Sequence, residues 1–178
     1  DWHSKDGILF SRDIAQADFG DTVMTSMGKP IQVMEATLQD RLKGVKRQTQ
    51  IIYPKDIAYI CMRLGAGPGR VICEAGCGSG ALTTGLSWFC GPTGRVISHE
   101  AARRNLEWAG LGDNVEIHVQ DARNGFCVKN ADALFLDMRT PWECLEQALA
   151  AVRPGAVFGF LLPTVVQVAE LLKSLEKG

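Results

Sequence analysis

The densest chemical signal in the chain is the run Glu74-Ala75-Gly76-Cys77-Gly78-Ser79-Gly80. Glycines at alternate positions let a backbone turn tightly and approach a ligand with no Cβ in the way. Dinucleotide folds use G-x-G-x-x-G/A, with a pyrophosphate on a helix N-terminus. Here the loop reads G-x-G-x-G, and Glu74 stands two residues before its first glycine. A fixed carboxylate there repels a pyrophosphate and attracts an ammonium or sulfonium group. That favours S-adenosylmethionine, which carries both cations. Three more acids suit such a site. Glu100 lies twenty residues after Gly80, where a carboxylate can accept both ribose hydroxyls. Asp121, in Gln120-Asp121-Ala122, is placed to accept a hydrogen bond from an adenine amino group. Asp137 follows in Leu136-Asp137-Met138. Any one of these acids reads equally well as a solvated loop residue or a helix cap. Four of them around a glycine loop read as a nucleoside-cofactor site, a pattern that NAD enzymes share.

The acids carry meaning only if each ends a strand. From Tyr53 onward, helix and strand patterns alternate. Pro54 suits the first position of a helix, and Ile57, Ile60, Cys61 and Leu64 follow at helical spacing until Gly65 to Gly69 stop it. Val71-Ile72-Cys73 is a buried-strand run, and Leu82, Leu86 and Phe89 mark the next helix. Strands are predicted from Val96-Ile97, over 115–119, over Ala133 to Leu136 and over Ala156 to Leu162, with helices over 105–109 and 142–152. Thr164 caps a last helix whose face carries Val168, Leu171, Leu172 and Leu175. Alternation of this kind means parallel strands joined by helices, an open doubly wound α/β sheet that binds ligands beyond its strands' carboxyl ends. Residues 1–48 differ. Short extended pieces around Ile8 to Phe10, Thr22 to Thr25 and Ile31 to Met34 are split by turn chemistry, which predicts a small N-terminal β domain ahead of a main domain over 49–178.

Composition narrows the classes. Hydrophobic residues are 46% and charged residues 22% of 178, ordinary for a globular chain. Nineteen Lys and Arg against twenty Asp and Glu leave a net charge of −1, so any nucleic-acid contact must be a local patch. Arg41, Lys43, Lys46 and Arg47 form the best such patch; the alternative is a solvated linker. No apolar run approaches the ~18–20 residues of a membrane helix. The six cysteines form no C-x-x-C pair, and paired metal-ligand spacing is absent. They read as reduced thiols of a cytoplasmic protein, several of them small core residues. His99 and His118 read as ordinary strand residues.

Gln48-Thr49-Gln50-Ile51-Ile52-Tyr53-Pro54-Lys55-Asp56, followed by Glu74 to Leu82, resembles the class I S-adenosylmethionine-dependent methyltransferases. More narrowly, the chain resembles the tRNA (adenine-58-N1) methyltransferases of bacteria and archaea. Tyr53-Pro54-Lys55-Asp56 is a narrow signature, and so is Pro163-Thr164-Val165-Val166-Gln167-Val168, close to the family's Pro-Thr-x-x-Gln-Val. The resemblance spans nearly the whole chain. It implies a Rossmann-like sheet behind a small β domain, and a methyl transfer from S-adenosylmethionine to N1 of an adenine in tRNA. It implies that Gly76, Cys77, Gly78, Ser79, Glu100 and Asp121 hold the cofactor, with Glu74 and Gly80 in the same loop. It implies that Asp137 serves the target adenine, with Gln50 and Tyr53 lining the pocket, and that the assembly is a tetramer. Two departures stand out. Cys77 replaces the usual Thr, and Met138-Arg139-Thr140-Pro141-Trp142 follows Asp137 where relatives often have a second proline or an acid. Class I enzymes carry two further strands beyond the helix that ends at Gly178, and a fuller crossover than the fourteen residues between Glu100 and Val115. The resemblance therefore implies segments beyond this sequence at both places.

Adenine N1 has an in-plane lone pair, and its methylation makes the base cationic unless the 6-amino group loses a proton. Asp137 is the candidate to accept a hydrogen bond from that amino group and stabilise the developing charge. The target base must leave its stack. Trp142 is a candidate platform for it, the other reading being a core tryptophan at a helix start. Competing functions are methyl transfer to another RNA, a protein or a small molecule; a non-catalytic tRNA-binding subunit, against which the intact loop and Asp137 argue; and an NAD-dependent oxidoreductase.

Overall fold

The computed structural model describes residues 1–45, 52–99 and 110–176. The chain divides into two compact units, Asp1–Thr37 and Leu38–Gly178. Residue 48, where the sequence places the division, lies outside the described residues, as does the helix expected over 105–109.

The first unit contains two antiparallel hairpins: β1 (Trp2–Ser4) with β2 (Gly7–Leu9), and β3 (Thr22–Met24) with β4 (Pro30–Gln32). A short helix, α1 (Ser11–Ala15), separates them. Strand β1 has no apolar alternation and was not expected from the sequence. Its backbone is recruited by pairing across the turn, where Ser4 Oγ donates to Gly7 O at 3.1 Å and accepts from Asp6 N at 3.1 Å.

The second unit opens with α2 (Leu38–Lys43) and α3 (Pro54–Leu64), the latter begun by Pro54 and ended by Gly65 in the left-handed region at φ 67°. Five parallel strands follow: β5 (Val71–Ala75), β6 (Arg95–His99), β7 (Val115–Ile117), β8 (Ala131–Leu136) and β9 (Val152–Phe160), in the order β7-β6-β5-β8-β9. Between them lie α4 (Ala81–Cys90) and α5 (Leu145–Ala151), and α6 (Val165–Leu175) follows β9. The order runs outward from β5 to β6 and β7 on one side, and to β8 and β9 on the other. The crevice of such a sheet therefore opens beyond the carboxyl ends of β5 and β8. One core layer joins Ile57, Cys61, Leu64 and Leu86 to Ile72 and Val96; the other joins Cys73, Ile97, Leu134 and Leu136 to Ala148. All six cysteines are free and five are buried. Burial, above all, pushes the Cys61 thiol up to about 12, so it is an inert core residue.

Three elements depart from the sequence pattern. Strand β7 stops at Ile117, although His118 N still donates to Ser98 O at 2.8 Å. Strand β9 begins four residues earlier than expected, at Val152. Its pairing slips between Ala131 and Ala133, so Pro154 and Gly155 bulge out of the ladder near the strand's start, and bulges tolerate such residues. On α6 only Leu171 is buried, whereas Val168, Leu172 and Leu175 are exposed. Among the described residues nothing covers the rest of that face.

The ends of the strands opposite the crevice are tied by one acid. Asp132 Oδ1 accepts from Arg70 Nη1 at 2.8 Å and Arg153 Nε at 2.9 Å, while Oδ2 accepts from Val71 N at 2.9 Å. The Val71 N–H and then the two guanidiniums, outweighing partial burial, lower its pKa from 3.8 to about 2. A depressed carboxyl contributes stability above its ordinary pKa and loses it as pH falls through the folded value. Asp132→Asn is therefore expected to destabilise the protein at pH 7, with the gap from wild type closing between about pH 4 and pH 2. Denaturant melts at both limits check this; a constant gap would contradict it.

Candidate active site

Strand β5 carries Glu74 inside its last turn of pairing, opposite Phe135, and leads straight into the glycine loop. Gly76, Gly78 and Gly80 adopt φ of 87°, 50° and 76°, a region that L side chains seldom enter. Gly76 is also pressed against the turn that follows β8. A Cβ there would lie 1.9 Å from the Asp137 carbonyl oxygen. Asp137 N donates to Ala75 O at 2.9 Å, so the two strand ends meet edge to edge at the crevice. The loop residues Gly76, Cys77, Gly78 and Ser79 line a small cavity with Glu74 and Asp137. Glu74 is buried, and Thr83 Oγ1 donates to its Oε2 at 2.6 Å.

Beside this lies an open cleft of about 530 Å³, bounded by Ala75, Gly76, His99, Asp121, Asp137 and the turn to Thr140. Its size falls within the usual range of small-molecule sites. Asp121 caps the short 3₁₀ turn Ala122–Asn124 and accepts from Arg123 N at 2.9 Å. Its carboxylate is also gripped by the Arg123 guanidinium, Nε to Oδ1 at 3.0 Å and Nη2 to Oδ2 at 2.6 Å. The guanidinium first, and then the backbone N–H, hold the Asp121 carboxyl at about 2, so it is an ionised acceptor throughout the neutral range. Arg123 reaches on to Glu143 at 3.5 Å.

Other candidates are placed differently. Trp142 does not line this cleft. It faces a separate apolar groove of about 650 Å³, beside Leu145, Leu149, Phe158, Phe160 and Leu175. The 3₁₀ turn Pro141–Cys144 that precedes α5 carries it there. Tyr53 is exposed as the cap of α3. Arg41 stacks its guanidinium 5.5 Å from the ring centre of Trp88. Trp88 lies seven residues into α4 from Ala81, ~10 Å along the axis from the glycine loop. Lys43 is exposed at the end of α2. Gln50, Lys46, Arg47 and Glu100 lie outside the described residues.

Two residues were missed. His99, the last residue of β6, is buried at the edge of the cleft. Its Nε2 accepts from Cys127 N at 3.4 Å, and its ring meets Phe126 edge-on. Burial, and then His118, push its pKa down, so it stays neutral at neutral pH. Its place immediately before Glu100 was a signal, because the strand-end rule applies to it as well. Arg123 had no such signal. Two residues after an acid, it reads as a surface charge until the turn folds it back onto Asp121.

The donor set fits a cationic nucleoside cofactor: a glycine loop with no Cβ in the way, a buried carboxylate beneath it, and two acids across the cleft. Among the described residues, no three His, Cys, Asp or Glu side chains stand together as a metal site. Sheet order, loop and strand-end acids define a Rossmann-like methyltransferase. Within that class the chain belongs to the GCD14 family, the tRNA methyltransferase complex GCD14 subunit, which it matches over residues 31–178. It is 32% identical to the tRNA (adenine(58)-N(1))-methyltransferase TrmI of Thermus thermophilus, over 98% of this chain and 72% of that protein. It is 30% identical to the tRNA (adenine(57)-N(1)/adenine(58)-N(1))-methyltransferase TrmI of Methanocaldococcus jannaschii, over 96% and 71%. The crystal structure of Aquifex aeolicus tRNA (m1A58) methyltransferase TrmI superposes with a TM-score of 0.80 at 34% identity, covering 99% of this chain and 72% of that one. A Thermotoga maritima structure described as an S-adenosylmethionine-dependent O-methyltransferase superposes at 0.86 with 36% identity, over 99% and 69%.

Proposed function

We propose that the protein transfers a methyl group from S-adenosylmethionine to N1 of an adenine in tRNA, at position 58. The observation that carries this reading is the meeting of Asp137 with the glycine loop at the crevice between β5 and β8, in a chain of this family. When bound, S-adenosylmethionine supplies an electrophilic methyl group to the in-plane lone pair of N1. The loop Gly76 to Gly80 brings backbone amides close to the cofactor, Glu74 supplies negative charge beneath it, and Glu100 accepts the ribose hydroxyls. Asp121, already ionised and oriented by Arg123, offers a carboxylate edge for the adenine amino group of the cofactor. Asp137 accepts from the 6-amino group of the target base. It thereby orients N1 and stabilises positive charge as the bond forms. On this reading Gln50 contacts the cofactor and Tyr53 the target base in the same pocket, and the protein acts in the cytoplasm as a homotetramer.

The Thermotoga description favours a second reading, methyl transfer to oxygen. Labelled S-adenosylmethionine with unmodified tRNA, followed by identification of the product nucleoside, separates the two. 1-Methyladenosine supports our reading, and a 2′-O-methyl or non-nucleoside product refutes it.

tRNA affinity should depend on Lys43, Lys46 and Arg47, because phosphate neutralisation dominates such binding. Lys46→Ala with Arg47→Ala is expected to flatten the slope of log affinity against log salt by roughly 1–2 and to leave cofactor affinity unchanged. Filter binding at several salt concentrations measures it; an unaltered slope would remove these residues from the interface.

A further inference from the structure

The sequence signature Pro163-Thr164-Val165-Val166-Gln167-Val168 has no part in the chemistry above, yet it touches the turn that carries Asp137. Thr164 caps α6, its Oγ1 accepting from Gln167 N at 3.3 Å. In an ordinary capping box, the side chain three residues into the helix reaches back to the cap's own backbone N–H. Gln167 does something else. Its Oε1 accepts from Thr164 Oγ1 at 2.8 Å, which fixes the amide's orientation. Its Nε2 is thereby aimed away from the helix and donates to the carbonyl of Arg139 at 3.0 Å, 28 residues earlier in the chain.

Arg139 lies two residues after Asp137 in the same turn. That turn is bonded at its start, by Asp137 N to Ala75 O, and at its end, by Glu143 N to Thr140 O at 3.1 Å. Its middle receives a hydrogen bond to the backbone from Gln167, beside the weak contact of Cys144 Sγ with the Met138 sulfur at 3.8 Å. The direction of the Asp137 carboxylate depends on the backbone angles of this turn, and Gln167 restrains them from outside it, as Ala75 O does at the turn's start.

We propose that Gln167 is a positioning residue. Through the Arg139 carbonyl it holds the Asp137 turn in its working conformation, with Thr164 setting the amide's orientation. The inference rests on the role given to Asp137 above. A misplacement of about 1 Å in a reacting group can lower turnover by roughly 100-fold. Cofactor binding by the glycine loop needs less precision in this turn than the reacting geometry does, and tRNA binding by phosphate contacts needs none.

The test uses Gln167→Met, which keeps length and loses both polar ends, and Gln167→Glu, which keeps the acceptor for Thr164 and loses the donor. Glu170→Ala, which breaks only the Glu170–Lys173 pair at 2.9 Å on the same helix, is the control. Both Gln167 variants should lower kcat roughly tenfold to hundredfold. KM for S-adenosylmethionine should change much less than kcat, because the turn only borders the cleft, and tRNA affinity should stay within about twofold, because phosphate contacts set it. Amide hydrogen exchange at Asp137 and Glu143, whose N–H groups close the two ends of the turn, should accelerate, while that of β5 stays as in wild type. Unchanged exchange in the turn overturns the proposal whatever the activity does. A kcat loss that Glu170→Ala reproduces also overturns it, by reducing Gln167 to a helix-stability residue. Exchange needs no substrate, so faster turn exchange in a protein whose wild type fails to methylate tRNA would sink the assigned reaction and leave the positioning intact. If Gln167→Met does not fold, Gln167→Glu, whose cap is retained, decides.

Discussion

Asp137→Asn is expected to lower kcat by roughly 10²–10⁴, the range for a positioned acid–base group. Asparagine keeps the size and one acceptor oxygen but removes the charge. The loss should fall on the transition state, where the target base becomes cationic, more than on either ground-state complex. S-adenosylmethionine affinity should fall less. It need not be untouched, because Asp137 lines the small cavity beneath the glycine loop as well as the open cleft. Affinity for tRNA should hardly move, because phosphate contacts set it. Single-turnover methylation combined with calorimetry of cofactor binding measures all three. Near-normal turnover would remove Asp137 from the chemistry and leave Asp121, the other described carboxylate on the cleft, to be tested next.

Gly76→Ala should be the more damaging change, for a reason unrelated to charge. A methyl group there meets the Asp137 carbonyl oxygen at 1.9 Å and its carbon at 2.6 Å, and the backbone already sits at φ 87°. Both obstructing atoms belong to the main chain, so no side-chain rotation relieves them. The glycine loop and the Asp137 turn must separate, which displaces the proposed cofactor loop and the Asp137 carboxylate together. Overpacking and the strained angle together cost about 2–4 kcal/mol. Turnover should fall at least 10²-fold, and cofactor affinity should weaken with it. Gly69→Ala is the matched control. Its φ is 78°, but a Cβ there meets nothing within 4 Å. It should show the backbone strain in a modestly lower Tm and keep its activity. Equal behaviour of the two variants would mean that close approach at Gly76 is not what the position requires.

The amino-acid sequence by itself determined the parts that are local. The glycine loop, the alternation of buried strands with amphipathic helices, the Pro54 start and Gly65 stop of α3, and the Thr164 cap depend on residues within a few positions of one another. Period and capping chemistry record them directly. Because the strands are parallel, the rule that sites lie past their carboxyl ends was enough to single out Glu74, Asp121 and Asp137. The rule applied equally to His99, which was passed over because a buried strand end and an ordinary strand residue look alike in one dimension. What only the tertiary structure decided was which distant groups meet. The Gly76 contact with the Asp137 carbonyl, the Gln167 bond to Arg139 and the Asp132 tie among β5, β8 and β9 join residues far apart in the chain, and the pattern around either partner does not encode the other. The same holds for direction. Trp142 follows Asp137 by five residues, yet a 3₁₀ turn rotates it into a different groove. Arg123 turns back onto Asp121 instead of into solvent. An apolar period states that a face seeks cover, not what covers it, and so the stripe on α6 was legible while its burial only at Leu171 was not.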